Sequence, residues 1–280
     1  MPVEHNFDYH CLNSFQSSSN GEPMVKYKYK HLTSFIVAIT ILIAVSLSCN
    51  NSSSTVETPT SNTAAVTNST SNAATAVAPS APSNIAGTYD ATGTNPDGGG
   101  AYKATLVVTP RDDVYQFSWD SGTSSYDGVG VMTENAVAVS YTEGKDGKGC
   151  GVVLYKINAD GSLDGKSGYW GVNKAETERA VRTGGTDLDG KYTIKGTNPD
   201  GKDYTGTLDV AKDGSGYSFK WNAGTATTGF GIKAGNLVAV GFGGSKCAFV
   251  GYDVKADGTL DGKWGSQASN KFGTEVAKKR

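Results

Sequence analysis

Tyr115-Gln116-Phe117-Ser118-Trp119 and its later counterpart Tyr217-Ser218-Phe219-Lys220-Trp221 decide the fold. Their aromatic residues recur every second position with polar residues between them, the period of a β-strand with one buried face. Leu208 and Val210 alternate with Thr207 and Asp209 in the same way, and Val238, Val240 and Phe242 repeat the stripe of Val137, Val139 and Tyr141. Turn signals separate these runs: Asp213-Gly214, Gly235-Asn236, Asp160-Gly161 and Asp257-Gly258. Such pairs supply the positive φ that tight hairpins require. No helical stripe interrupts them.

The repetition extends well beyond that stretch. Gly93-Thr94-Asn95-Pro96-Asp97-Gly98 returns unchanged as Gly196-Thr197-Asn198-Pro199-Asp200-Gly201, and Ala159-Asp160-Gly161-Ser162-Leu163-Asp164-Gly165-Lys166 returns as Ala256-Asp257-Gly258-Thr259-Leu260-Asp261-Gly262-Lys263. A period of roughly 100 residues is a small domain rather than one solenoid unit. We divide the chain into β-repeat 1 (85–183) and β-repeat 2 (184–280). Each repeat holds about eight short strands, the number at which an antiparallel meander closes with its interior filled. The expectation is an all-β protein of two tandem antiparallel meander domains, each an eight-stranded up-and-down barrel. Closure also removes exposed sheet edges.

Upstream lie an address and a spacer. Lys26, Lys28 and Lys30 precede an apolar run from Phe35 to Leu47, then Ser48-Cys49. A basic stretch, a short apolar core and a small residue before the break make a secretory signal. The run falls short of the ~20 residues of a membrane span. This places the signal peptide at 24–49 and leaves 1–23 as a mis-assigned or extended leader. Cys49 followed by Asn50-Asn51 resembles the lipobox of bacterial lipoproteins, although Ser46 stands where those signals favour Leu. The resemblance implies lipidation at Cys49, membrane attachment through that lipid, and an outer-membrane address facing either the cell surface or the periplasm. Residues 50–84 are Ser, Thr, Asn, Ala and Val with scattered Pro, without aromatics, and read as a disordered tether. About 35 flexible residues reach roughly 30–35 Å.

Composition excludes several functions. The chain has 25 Lys+Arg against 27 Asp+Glu, and removing 1–49 takes three of each sign, leaving −2. Without a basic run, capture of nucleic acid is not expected. His5, His10 and His31 all precede Cys49, so the exported body has no histidine for a catalytic base, a triad or a metal. We expect no cofactor, no metal and no enzyme activity. Glu178 and Glu275 are equivalent in the two copies and are expected to sit apart, as strand-end or hydrogen-bonding groups. The Asp- and Asn-rich turns lack calcium-loop spacing. Cys150 and Cys247 occupy equivalent places; they either pair between the repeats or remain one buried thiol per domain.

Gly-x-Tyr, the Gly-Thr-Asn-Pro-Asp-Gly hexapeptide, aromatic alternation ending in Trp, and Ala-Asp-Gly-x-Leu-Asp-Gly-Lys together resemble repeats of bacterial exported proteins labelled fibronectin-binding. The resemblance spans residues 86–278 and implies a surface adhesin for a host extracellular-matrix protein. Two weak modules on one chain would gain avidity. Two other readings stand beside it: a periplasmic β-barrel for a small hydrophobic or peptide ligand, and an envelope-structural protein without a discrete ligand. Trp119 and Trp221 are expected in the core. Trp170 and Trp264 follow the Leu-Asp-Gly-Lys turn, with Ser167-Gly168-Tyr169 read as an insertion before the first. Tyr169, Trp170 and Trp264 are therefore the candidate ligand contacts, since Tyr and Trp dominate binding hot spots.

Overall fold

The computed structural model describes residues 80–267, 269 and 271–280. The leader, the signal peptide, Cys49 and all but the last five residues of the tether lie outside the described residues. The rest is antiparallel β-structure. Five strands come first: β1 (Gly87–Thr94), β2 (Ala101–Arg111), β3 (Val114–Asp120), β4 (Ser125–Thr133) and β5 (Ala136–Glu143). Eight follow: β6 (Cys150–Ile157), β7 (Leu163–Tyr169), β8 (Glu176–Thr186), β9 (Asp189–Thr197), β10 (Asp203–Asp213), β11 (Gly216–Asn222), β12 (Ala226–Ala234) and β13 (Leu237–Gly243). The last are β14 (Ala248–Val254), β15 (Leu260–Gly265) and β16 (Gly273–Lys279).

These strands close into two eight-stranded barrels, as the alternation predicts, within one compact unit of the chain. The barrels, however, do not coincide with the sequence repeats. Barrel 1 runs β1-β16-β15-β14-β5-β4-β3-β2, and barrel 2 runs β10-β11-β12-β13-β6-β7-β8-β9. Barrel 2 is therefore one continuous segment, β6 to β13, inserted between β5 and β14 of barrel 1. The last three strands of each repeat complete the barrel begun by the other.

The exchange keeps the register of the two equivalent ladders and their central apolar pairs. Val137 on β5 faces Tyr252 on β14, and Val238 on β13 faces Tyr155 on β6. Val139 faces Val250 as Val240 faces Val153. Because the copies offer the same partners in the same register, ladder energy alone does not choose between self-closure and exchange, the situation that makes strand swapping inexpensive.

What distinguishes the exchanged form is the face between the barrels. Val129 and Val131 of β4 and Ala136 and Ala138 of β5 pack with Val152 and Leu154 of β6 and Ala239 of β13, all buried. These strands are covered inside and outside, which is why Val137-Ala138-Val139 and Val152-Val153-Leu154-Tyr155 read as continuous apolar runs rather than alternating ones. Cys150 and Cys247 form a disulfide, with Cα atoms 5.7 Å apart. The bond joins the first residue of the inserted segment to the residue just before β14, stapling the insertion at its base.

One end of each barrel is plugged. Ile85 and Leu188 are buried at equivalent places, and the Tyr89 and Tyr192 hydroxyls donate to their carbonyls at 2.6 and 2.9 Å. These are the tyrosines of the Gly-x-Tyr motif. Above the plugs the interiors fill with Leu106, Phe117, Val139 and Leu260 in barrel 1, and with Leu163, Leu208, Phe219 and Val240 in barrel 2.

Candidate ligand-binding cups

The opposite ends are not filled. The mouth of barrel 1 holds a cavity of about 790 Å³, and the mouth of barrel 2 one of about 250 Å³. A larger depression of about 1110 Å³ lies along β1–β4, lined by exposed Asp90, Lys103, Asp120 and Lys145 and by buried Asp127, which accepts from the Ser118 hydroxyl at 2.7 Å and from the Gln116 amide.

The floor of each cup is one buried glutamate held by tyrosines. In barrel 1, Glu275 is 4 % exposed. It accepts from the Tyr102 hydroxyl at 2.7 Å, from the Trp119 indole N–H at 3.1 Å, and from the Tyr252 hydroxyl. In barrel 2, Glu178 accepts from the hydroxyls of Tyr155 at 2.5 Å and Tyr204 at 3.0 Å, while the Trp221 indole N–H donates to the Tyr155 hydroxyl at 3.0 Å. Glu178 and Glu275 do occupy separate sites, as expected, and both are hydrogen-bonded pocket floors rather than solvated strand ends.

Glycines set the tyrosines in place. Gly93 faces Tyr102, Gly196 faces Tyr204, Gly165 faces Tyr155 and Gly262 faces Tyr252 across neighbouring strands. Each ring lies over its glycine so closely that an added Cβ would come within 2.6 Å of it. The absent side chain is the ring's bed. Gly93 and Gly196 open the Gly-Thr-Asn-Pro-Asp-Gly hexapeptides, and Gly165 and Gly262 belong to the Leu-Asp-Gly-Lys motifs. Two of the strongest repeat signatures are thus the supports of one buried Tyr–Glu–Tyr arrangement per barrel.

The electrostatics make these tyrosines donors. Burial, and then the charge of the neighbouring glutamate, raises the hydroxyls of Tyr102, Tyr252, Tyr155 and Tyr204 above the ordinary phenol value. They stay protonated at neutral pH and are not phenolate nucleophiles or bases. Glu178 is also raised, by burial first, against the opposing hydrogen bonds of Tyr155, Tyr204 and Trp221.

Above a shared floor the walls diverge. Strand register aligns Leu163 with Leu260 and Ala180 with Ala277. The counterpart of Trp264 is therefore Ser167, and that of Gly273 is Glu176; Ser167-Gly168-Tyr169 is not an insertion. In barrel 1, Trp264 packs its indole over Gly273, where an added Cβ would meet the ring nitrogen at 2.7 Å. In barrel 2, Ser167 instead donates to Glu176 at 3.0 Å, and burial raises that carboxyl. Glu176 lines the same cavity as Glu178, a neighbour that comparison of Glu178 with Glu275 alone does not reveal. Tyr126 of barrel 1 is replaced by Thr227 and Tyr141 by Phe242.

Of the three candidate contacts, only Trp264 lines a cup. Tyr169 is 41 % exposed with its ring beside Phe242, centroids 6.2 Å apart. Trp170 packs against the cluster between the barrels, over Gly147. Sequence reasoning left out Tyr102, Tyr126, Tyr141, Tyr252 and Glu275 as cup residues, and Trp119 and Trp221 serve as cup lining as well as core. Among the described residues no group of three or more His, Cys, Asp and Glu could hold a metal ion. Comparison of the chain with protein-family models, curated proteins and solved structures returns no match.

Proposed function

We propose that this is an exported, lipid-anchored envelope protein that binds a small ligand non-catalytically in the mouth of barrel 1. The observation that carries the reading is the cavity of about 790 Å³, lined by aromatic rings around one buried, hydrogen-bonded carboxylate. Its size and its mix of apolar wall and few polar groups match small-molecule sites in general. Barrel 2 repeats the floor on a smaller scale, with Thr227, Ser167 and Glu176 where barrel 1 has Tyr126, Trp264 and Gly273, so the two cups would take different ligands or only one of them would be used.

The anchor reading rests on the signal and Cys49. The chain enters barrel 1 at the plugged end, at Ile85, so a tether to Cys49 would leave from the end opposite the open mouth. Adhesion to a host matrix protein has less support. The large exposed hydrophobics among the described residues are Val107, Tyr169 and Val181, on three different strands and not in a patch.

Native mass spectrometry of the gently purified chain tests the proposal. A bound small molecule that leaves on denaturation, and is lost when Ala104, which lines the cup on β2, is replaced by Trp (Ala104→Trp) to fill it, is the expected result. Apo protein throughout, together with saturable fibronectin binding unaffected by Ala104→Trp, would favour the adhesin reading.

A further inference from the structure

The two cups share a floor and differ in their walls, and those differences bear on the ligand of barrel 1. Tyr102, Trp119, Tyr126, Tyr141 and Trp264 form a contiguous box. Trp119 and Tyr141 have ring centroids 5.1 Å apart, Tyr126 meets Tyr141 edge-on at 6.0 Å, Tyr102 meets Trp264 edge-on at 6.0 Å, and Tyr141 lies 6.4 Å from Trp264. Aromatic faces carry negative potential and attract cations most strongly where water is excluded. Beneath them sits Glu275, whose described partners are two hydroxyls and one indole N–H, and which enters no ion pair among the described residues. Neutral donors satisfy the carboxylate oxygens without cancelling the charge. At the rim, exposed Glu143 and Lys246 offset one another, so the floor sets the sign of the cup.

We infer, on the reading that the mouth of barrel 1 is a small-ligand site, that its ligand carries a quaternary ammonium group. The tyrosines and Trp119 already supply the hydrogen bonds of Glu275. A cation without N–H groups therefore gains the field of the carboxylate and the ring faces and brings no donor of its own that would need an acceptor. A primary amine would have to compete with the tyrosines for the same oxygens. The walls of barrel 2 lack this box: Thr227 and Ser167 replace Tyr126 and Trp264, and Glu176 occupies the position of Gly273.

The test is a titration of the purified chain, followed by tryptophan fluorescence and calorimetry. Its probes are choline and 3,3-dimethylbutanol, the uncharged isostere of choline. Saturable choline binding, with the isostere weaker by about tenfold or more, is expected. Glu275→Gln should weaken choline by a similar factor while leaving the isostere unchanged. Should that variant not fold, Tyr126→Thr with Trp264→Ser copies residues the twin barrel already carries and should abolish choline binding. Phosphatidylcholine vesicles form a second arm: vesicle capture competed by free choline identifies a lipid headgroup as the source, and choline binding without capture identifies a free metabolite. Equal affinity for choline and the isostere overturns the cation inference but leaves a small-ligand cup. Binding of neither probe overturns it as well, and native mass spectrometry then judges the cup independently.

Discussion

Removing the Cys150–Cys247 disulfide should cost far more than the loss of two sulfur atoms, because of where the bond sits. It closes a loop with a sequence separation of 97, and that loop contains all eight strands of barrel 2. In the chain-entropy treatment, closing a loop of about 100 residues restricts the unfolded chain by about 4.7 kcal/mol at 25 °C. At about 2–4 °C per kcal/mol for a body of this size, the melting temperature should fall by about 9–19 °C. The perturbation is Cys150→Ala with Cys247→Ala, compared by calorimetry with the parent chain before and after reduction. Reduced parent and double variant should melt together, since the shared effect is the open loop. Hydrogen exchange should also quicken at 144–149 and 244–247, the two crossings held at the staple. A fall of less than about 2 °C in both cases would refute the reasoning. It would mean that packing between the barrels, not loop closure, holds the ends of the insertion together.

Gly262→Ala should destabilise barrel 1 by about 1–3 kcal/mol, since the new Cβ would stand 2.4 Å from the Tyr252 ring; chemical denaturation checks this, and an unchanged midpoint would remove the bedding role. Ser167→Trp alone should destabilise barrel 2 by crowding Glu176, and Ser167→Trp with Glu176→Gly should recover about 0.5–3 kcal/mol of that loss as coupling; strict additivity in the cycle would refute the register equivalence. Acidification should reveal Glu178. Its folded value lies above the ordinary 4.5, so the stability it contributes is full below that value and is lost as pH rises through the folded one. Lowering pH from neutral toward 4.5 should therefore strengthen the fold, and Glu178→Gln should flatten that slope. The exposed Asp160, Asp187, Asp200 and Asp257 are lowered below their ordinary 3.8 and oppose the trend only in stronger acid.

Strand type, strand count and turn positions were legible because each is local. Alternation from Tyr115 to Trp119 buries Phe117 and Trp119 and leaves Asp120 exposed, as a period of two requires. The cups were legible only in part. Tyr102 and Tyr204 carry no signal of their own, and the glycines that bed them sit in turn-like motifs, where glycine already has a sufficient explanation. Trp264, a candidate contact from the sequence, lines the cup of barrel 1, but Trp170 obscured its true counterpart: both follow Leu-Asp-Gly-Lys, and only strand pairing sets Ser167 against Glu176 and Trp264 against Gly273.

Taken by itself, the sequence determined that residues 85–280 are built from short antiparallel strands in two equivalent sets of about eight, because side-chain alternation and turn chemistry act over a few residues. Which set closes with which was decided only in three dimensions. The edge of β5 accepts β6 or β14 with the same register and nearly the same side chains, so no local preference separates the alternatives. In the exchanged arrangement the apolar face packs β4 and β5 against β6 and β13, and the Cys150–Cys247 bond ties the start of β6 to the residue before β14. The cup of barrel 1 follows from that choice, since Tyr102 and Trp119 come from one repeat while Tyr252, Trp264 and Glu275 come from the other.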